Sequence, residues 1–301
     1  MLARRSLLDL DDLSGPELLY ILDFARDIET ARIKRSLEGV ACANLFFEQS
    51  TRTFASFNLA QLRLGAHVVN LSPKDLSLAT KGETIEDTAI TLAAMGFSIL
   101  VLRHTEPGFP HKVAVAFDGH VVNAGDGGHA HPTQGLLDLH TLRNEFGTLD
   151  GRRIAIIGDV SHSRVAHSLI HGLLRLNAHV TLVGPEVFVH ADDIGEGVEI
   201  SRDFDSVLKH TDAVILLRIQ HERIDAMPIS MGEYTQRFQL NAARLAALPK
   251  HAIIMHPGPY NRGVELDECV LTFAGWRYAR QVASGVPVRM AVLDFLVHGM
   301  H

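Results

Sequence analysis

Cysteine and long apolar runs are both scarce in this chain. Its 301 residues include only Cys42 and Cys269, and Cys42 lies in an apolar run where a thiol behaves as a small hydrophobic side chain. We therefore expect a reducing compartment, the cytoplasm. No apolar run approaches the roughly 20 residues that span a bilayer, and acidic residues at 9, 11 and 12 interrupt the basic start, so we expect neither a membrane span nor a signal peptide.

Basic charge is also lacking, because the formal net charge is −7. Nucleic-acid binding depends on a basic face that releases counterions, so a nucleic-acid partner is not expected. The chain contains no HExxH or CxxC spacing, and its 18 histidines are scattered, so we expect no metal site. Apolar residues make up 47% of the chain, which is enough for one large core or two medium ones, and two domains are favoured.

Strand-like apolar runs alternate with helical periodicities twice along the chain, which predicts two doubly wound α/β domains with parallel sheets. In the first half the strands are expected at 40–47, 66–71, 98–102 and 120–124, and the helices at about 16–36, 52–64, 83–95 and 111–117. In the second half the strands are expected at 153–157, 179–183, 213–217 and 252–255, and the helices near 164–175, 203–209 and 239–247.

A helical stretch at 133–146 precedes the turn-rich segment 147–151, which marks a domain boundary. The first domain is therefore expected to cover residues 1–146, and the second 147–285. A terminal helix is expected at about 286–298.

Three hydroxyls and a guanidinium crowd the turn between the first predicted strand and the next helix, at Ser50, Thr51, Arg52 and Thr53. Unbonded N–H groups and the helix dipole favour an anion at such a helix start, so the turn indicates a phosphate site. An ordinary helix cap with Arg52 as a solvated surface charge is the alternative that this motif alone leaves open.

Further polar residues follow apolar runs, where ligands of open parallel sheets collect. Arg103 follows 98–102 and suits a bidentate contact with a phosphate or carbonyl oxygen, although a pair with Glu106 is the alternative. Arg164, Arg218 and Gln220 follow runs in the second half, and two arginines suit a dicarboxylate. The segment at 158–163 lacks the second and third glycines of GxGxxG, which disfavours dinucleotide binding.

In their joint order, seven fragments give the chain a resemblance to the aspartate/ornithine carbamoyltransferase family that covers nearly its whole length. The fragments are Phe47–Thr53, Lys81–Thr84, Arg103-His104, His131–Gln134, Gly158-Asp159 through Arg164, Arg218–Arg223 and His256–Pro259. Family ornithine enzymes typically carry His-Pro-Cys-Gln and His-Cys-Leu-Pro at two of these places, so Thr133 and Gly258 favour the aspartate branch.

The resemblance implies a carbamoyl-phosphate-binding first domain, completed by a C-terminal helix at about 286–301, and an aspartate-binding second domain. It implies that Arg52, Thr53, Lys81, Arg103 and His131 are catalytic and that no cofactor is used. It assigns carbamoyl phosphate to Ser50, Thr51, Arg52, Thr53, Ser77, Lys81, Arg103, His131, Gln134, Gly258 and Pro259. It assigns aspartate to Lys81, Arg164, Arg218 and Gln220.

The resemblance also implies a homotrimer in which Ser77 and Lys81 reach into a neighbour's site. Regulatory or dihydroorotase partner subunits stay open. So do two other functions: carbamoyl transfer to another amino acid, and a catalytically silent structural paralogue. One departure is Phe54, where the family usually has Arg; it is expected either to pack into the core or to mark dependence on a partner.

Overall fold

The computed structural model describes residues 6–30, 36–72, 74, 82–190, 197–220 and 229–300. The chain divides into two compact units, Met1–His140 with Ala283–His301 and Thr141–Val282. The C-terminal segment thus returns to the first unit, as expected. The assignment of residues 1–146 and 147–285 to different substrates stays a prediction.

The first unit is built on a parallel sheet with strand order β2-β1-β3-β4 in the described part of the chain. Its strands are β1 (Ala41–Phe46), β2 (His67–Leu71), β3 (Phe97–His104) and β4 (His120–Asp126). The helices that begin in this unit are α1 (Gly15–Thr30), α2 (Thr51–Arg63), α3 (Ile85–Ala94), α4 (Phe109–Ala116) and α5 (Pro132–Phe146).

The second unit is also a parallel sheet, with strand order β7-β6-β5-β8-β9 in the described residues. Its strands are β5 (Arg153–Ile157), β6 (His179–Val183), β7 (Val198–Ser201), β8 (Ala213–Leu216) and β9 (Ile253–Met255). Its helices are α6 (Arg164–Arg175), α7 (Phe204–Leu208), α8 (Met231–Phe238) and α9 (Ala242–Ala247), and α10 (Tyr278–His298) leads back to the first unit.

The central strands are apolar because both of their faces are covered by helices. Residues 154–157 of β5 and all of β8 are buried, as is typical of parallel sheets in α/β proteins. In the first unit, Ala43, Leu45, Leu100 and Leu102 belong to one buried cluster with side chains of α3 and α4. Alternating strands and helices therefore form two separate cores, as the sequence predicts.

Each sheet has a point where the strand order reverses. In the first unit β1 is followed in sequence by β2 on one side while β3 lies on the other, and β5 holds the same position between β6 and β8. Loops at the carboxyl ends of such strand pairs diverge and leave a crevice where ligands bind. The strand order therefore predicts ligand sites after β1 and β3 in the first unit and after β5 and β8 in the second.

Some elements differ from the predicted ones. β7 and α8 were not predicted, and the terminal helix begins at Tyr278 rather than near residue 286, with Pro287 inside it. Proline usually limits a helix because it lacks an N–H, but packing can retain it in a helix interior. None of the described helices is long and apolar enough to cross a membrane.

Candidate active site

The predicted anion turn lies at the start of α2, just after β1. Ser50 has extended backbone angles, φ −160° and ψ 100°, and its side chain makes no capping hydrogen bond. Thr51 and Arg52 are exposed, whereas Thr53 is 5% exposed. Because the Ser50 hydroxyl does not cap the helix, the structure does not support the alternative of an ordinary side-chain cap. The helix start presents polar groups at the carboxyl end of the sheet.

Buried amides fix α2 against the sheet. Asn44 of β1 and Gln61 of α2 are both 0% exposed and exchange two hydrogen bonds of 2.9 Å. The Asn44 amide also donates to Asn70 of β2, which in turn donates to Asn58 of α2 at 2.8 Å. Satisfied buried polar networks are directional, so these amides set the register of α2 over β1 and β2. That register places the anion turn.

Arg103 lies within β3, opposite Phe46, rather than in a loop after the strand. Its guanidinium is buried, with Nη2 3.0 Å from Glu48 Oε1 and Nη1 3.2 Å from the carbonyl oxygen of Ala124. The alternative pairing with Glu106 is wrong, because Glu106 pairs with Lys112. Glu48 and the carbonyl oxygen of Ala124 therefore fix the guanidinium of Arg103 at the carboxyl end of the sheet. The sequence did not reveal Glu48 as a partner of Arg103.

His131 and Gln134 lie at the start of α5, as the sequence predicts. The carbonyl oxygen of His131 accepts from the backbone N–H groups of Gln134 and Gly135. His131 is 4% exposed, and its Nε2 lies 3.4 Å from Thr53 Oγ1. Gln134 Nε2 donates to Asp138 at 2.9 Å. The structure thus brings together residues 78 positions apart in sequence, from α2 and α5.

Phe54 does not pack into the core. Its side chain is 36% exposed and meets Phe46 edge-on, with the ring centroids 5.2 Å apart. The expectation of core packing is therefore wrong, and the aromatic side chain lies at the surface next to the anion turn.

In the second unit, Arg218 and Gln220 follow β8 and contact one another. Arg218 Nη2 lies 3.2 Å from Gln220 Oε1. The backbone N–H of Gln220 donates to Asp159 Oδ2 at 3.0 Å, and Asp159 Oδ1 lies 2.7 Å from His162 Nδ1. Asp159, which is 0% exposed, therefore joins the loops after β5 and β8. The sequence placed it in a motif but did not reveal this role.

Arg164 is the first residue of α6 and is 6% exposed. Ser163 precedes it as the cap, with its hydroxyl accepting from the N–H of Ala166. Because β5 and β8 are neighbours with Ile157 opposite Leu216, the loops that carry Arg164 and Arg218 begin at adjacent strand ends. Both arginines lie at the carboxyl edge of the second sheet.

The segment after β9 is held by a buried contact between an imidazole and a carboxylate. His256 Nε2 lies 3.2 Å from Glu265 Oε1, and both side chains are 1% exposed. The N–H of Gly258 donates to His256 Nδ1 at 2.8 Å, and Gly258 has a φ of +69° that favours glycine. Pro259 follows it and is exposed. Glu265 is a further support that the motif did not predict.

Several predicted residues lie outside the described part of the chain. Ser77 and Lys81 belong to this group, as do Glu222 and Arg223 in the segment after Gln220. Among the residues that are described, no group of three or more His, Cys, Asp or Glu side chains is arranged to hold a metal ion.

Fold and side chains together define a class: a protein of two doubly wound α/β units, each with arginine and hydroxyl or amide side chains at the carboxyl ends of its strands. Residues 5–144 match the family model for the carbamoyl-phosphate-binding domain of aspartate/ornithine carbamoyltransferases. Residues 150–296 match the model for the Asp/Orn-binding domain. The chain belongs to the aspartate/ornithine carbamoyltransferase family.

The aspartate carbamoyltransferase catalytic subunit of Acidothermus cellulolyticus is 48% identical over 302 residues, covering 98% of this chain and 93% of that protein. Among solved structures, aspartate transcarbamoylase from Trypanosoma cruzi, in complex with N-(phosphonacetyl)-L-aspartic acid, matches with a TM-score of 0.87 at 31% identity, covering 97% of this chain and 96% of that one. Ornithine carbamoyltransferase from Gloeobacter violaceus matches with a TM-score of 0.85 at 27% identity, covering 99% of both chains.

Proposed function

We propose that this protein transfers the carbamoyl group of carbamoyl phosphate to the amino group of L-aspartate, giving N-carbamoyl-L-aspartate and phosphate, a step of pyrimidine biosynthesis. The observation that carries the proposal is the convergence of Thr53 and His131, 3.4 Å apart, beside the helix start that carries Arg52. Family membership and the names of the relatives support the same reaction.

The first unit supplies the groups that the donor substrate needs. The N-terminus of α2 offers backbone N–H groups, the helix dipole and the side chains of Ser50, Thr51 and Arg52 to the phosphate. Arg103 contributes a second guanidinium, held by Glu48 at 3.0 Å. Gln134 is assigned to the carbamoyl amide. The family resemblance also assigns carbonyl contacts with this substrate to Gly258 and Pro259, which belong to the second unit.

Catalysis would rest on positioning and charge rather than on a covalent intermediate with the enzyme. The deprotonated amine of aspartate attacks the carbonyl carbon, and the electron pair of the C=O bond moves to oxygen. Thr53, Arg103 and His131 stabilise that developing oxyanion, and collapse of the tetrahedral intermediate breaks the C–O bond to phosphate, which leaves with the electron pair of that bond and takes the proton that the attacking nitrogen loses. Arg52 and Lys81 hold the departing phosphate. A donor, an acceptor and fixed dipoles suffice for this step.

The second unit supplies the acceptor groups. Arg164, Arg218 and Gln220 lie at the carboxyl edge of one sheet, and two guanidinium groups match the two carboxylates of aspartate. The ornithine enzyme of Gloeobacter violaceus has the same fold at a TM-score of 0.85, so the fold alone does not choose between the acceptors. Side-chain chemistry decides the acceptor, and a second carboxylate is what ornithine lacks.

The proposed assembly is a homotrimer in the cytoplasm with active sites shared between neighbours. It rests on the family resemblance, in which Ser77 and Lys81 complete the site of the next subunit. A closed ring satisfies such a head-to-tail contact for every subunit.

An assay with radiolabelled carbamoyl phosphate and a panel of amino acids tests the activity and the acceptor together. We expect N-carbamoyl-L-aspartate as the main product and competitive inhibition by succinate, which carries the two carboxylates without the amine. Faster carbamoylation of ornithine than of aspartate at matched concentrations would refute the acceptor assignment. Absence of carbamoyl transfer to any amino acid would favour the silent paralogue.

A further inference from the structure

We propose that Asp126 is a positioning residue that holds His131 and Arg103 in the geometry of carbamoyl transfer. Asp126 is the last residue of β4, and its side chain is 0% exposed. Neither its own position nor the motif at 131–134 marked it as functional. The inference rests on the proposed function, because it assigns a role to the same site.

The Asp126 carboxylate binds several donors from different segments. Oδ2 accepts from the backbone N–H of Gly108 at 2.7 Å and lies 3.1 Å from His129 Nδ1. Oδ1 accepts from the backbone N–H of Ala130 at 3.0 Å and from Asn123 Nδ2 at 2.8 Å. A buried carboxylate with this many donors is satisfied only in one orientation, so it fixes the segments that supply them.

One of these contacts reaches the residue next to His131. The Ala130 N–H donates to the Asp126 side chain at 3.0 Å, while the Ala130 carbonyl accepts from the Asp126 backbone N–H at 3.1 Å. Ala130 is therefore held on both sides by one residue. His131 follows directly, and its Nε2 reaches Thr53 at 3.4 Å. A shift of the 127–130 loop would thus be transmitted to the His131 imidazole.

A second path leads to Arg103. The guanidinium donates to the carbonyl oxygen of Ala124 at 3.2 Å, and Ala124 lies two residues before Asp126 in β4. Asn123 accepts from the N–H of Gly125 at 2.8 Å and donates to Asp126, which braces the backbone around that carbonyl. Asp126 therefore connects two of the predicted catalytic side chains, Arg103 through the end of β4 and His131 through the 127–130 loop.

The loop has little room to adopt another path. Gly127 has a φ of +46°, and a Cβ there would lie 2.8 Å from the carbonyl oxygen of Thr105. The N–H of Gly127 donates to the carbonyl of His104 at 3.0 Å. Within the loop, His129 also contacts a residue outside it, because its Nε2 lies 3.7 Å from Asp9 Oδ2. The carboxylate is thus the centre of a tightly packed turn rather than one of several surface contacts.

The test compares wild type with Asp126→Asn, which keeps the shape but replaces one acceptor oxygen by an amide group that opposes a donor. We expect kcat to fall by about tenfold or more, because misplaced groups lose transition-state stabilisation. We expect the inhibition constant of inorganic phosphate to change less than kcat does, because Ser50, Thr51 and Arg52 at the start of α2 do not depend on Asp126 and only Arg103 among the described phosphate-binding side chains does. In a crystal structure of the variant, the contact between Thr53 and His131 should be lost.

A matched control is Asp212→Asn. Asp212 directly precedes β8, at the amino ends of the strands of the second sheet, and makes similar contacts. Its carboxylate accepts from the N–H of Arg153 at 2.8 Å and lies 2.8 Å from His251 Nε2. The Asp212→Asn substitution should lower the melting temperature without changing kcat. The proposal would be overturned if the kcat of Asp126→Asn stays within about twofold of wild type. It would also be overturned if Asp212→Asn lowers kcat as much as Asp126→Asn does at an equal loss of stability.

Two further measurements distinguish a loss of positioning from a failure to fold and from a failure of the proposed function. If Asp126→Asn does not fold, Asn123→Ser replaces it, because this substitution removes one donor to the Asp126 carboxylate. We again expect a larger change in kcat than in the inhibition constant of phosphate. An unchanged kcat would contradict the positioning role of Asp126. If wild-type protein makes no N-carbamoyl-L-aspartate, the proposed function fails, whereas the crystal structure of the variant still decides the positioning. An unmoved His131 in that structure refutes it.

Discussion

Arg52 is the second residue of α2, and its exposed side chain lies beside the N-terminal N–H groups of the helix. Arg52→Ala should lower kcat by a hundredfold or more, because loss of one charge-assisted contact in the transition state costs about 2 to 4 kcal/mol. Steady-state kinetics with carbamoyl phosphate and aspartate measure this loss.

The control for Arg52 is on the same helix. Arg63 is exposed in the last turn of α2, far from the anion turn, so Arg63→Ala should keep near-normal kcat. A folded Arg52→Ala enzyme that turns over as fast as Arg63→Ala would contradict the assignment of Arg52 to the phosphate.

The two cysteines should differ in reactivity. Burial raises the pKa of the Cys42 thiol to about 12, and the thiolate is the form that reacts with alkylating reagents. Cys269 is partly exposed. Iodoacetamide at neutral pH should therefore modify Cys269 in the native protein and both thiols in urea, as read by mass spectrometry. Cys269→Ser is the control, since its native form should stay unmodified; alkylation of Cys42 in that folded variant would disprove the buried position.

At the scale of elements, a buried cation links α7 and α9. Arg244 of α9 is 7% exposed, and its Nε lies 2.8 Å from Asp205 Oδ1 of α7. The guanidinium also donates to the carbonyl of Gln239 and lies over the ring of Phe204. The Arg244–Asp205 pair therefore joins two short helices. Removing the Asp205 carboxylate would leave the buried Arg244 guanidinium with fewer partners.

Asp205→Asn should lower the melting temperature at neutral pH. The hydrogen bond from Arg244 holds the pKa of Asp205 below its ordinary 3.8, so the stabilisation is present above that value and is lost as the pH falls through the native pKa. Asp205 is 67% exposed, and solvent screening limits the effect to roughly 0.5 to 1 kcal/mol. That corresponds to about 2–4 °C at most for a protein of this size.

The comparison for Asp205 is Glu233→Gln, which removes an exposed pair with Arg237 on α8. Its melting temperature should stay close to that of wild type. The difference between wild type and Asp205→Asn should shrink below pH 3.8, and a difference that is unchanged at acid pH would argue against the ion pair as its cause.

At the scale of the whole molecule, the proposed shared site predicts complementation between inactive subunits. Lys81→Ala and Arg52→Ala should each be nearly inactive alone. Mixed trimers should regain some activity, because a site that takes Lys81 from one chain and Arg52 from its neighbour can contain both wild-type residues.

The complementation experiment needs two controls: each variant must assemble normally, and subunits must be shown to exchange under the mixing conditions. Activity assayed before and after mixing then gives the answer. Demonstrated exchange without recovered activity would rule out a site shared between chains.

The class of fold and the places where polar residues cluster could be predicted from the amino-acid sequence. Apolar runs of strand length alternating with amphipathic helices predict parallel sheets, because both faces of such strands are buried. The prediction located eight of the nine strands in the described part of the chain; β7 was missed because the strand at 198–201 is short and only partly buried. It also placed Ser50–Thr53 and His131 at helix starts, as the structure confirms.

The contacts between distant side chains, in contrast, depend on how the chain folds in three dimensions. The pairings of Arg103 with Glu48, Thr53 with His131, and Asp159 with Gln220 join residues from different strand ends, so no local spacing encodes them. No sequence pattern indicated a role for Asp126, because its carboxylate accepts from backbone N–H groups, which any residue type can supply. Local patterns set secondary structure, whereas a functional site depends on the sheet order that brings distant loops to one edge.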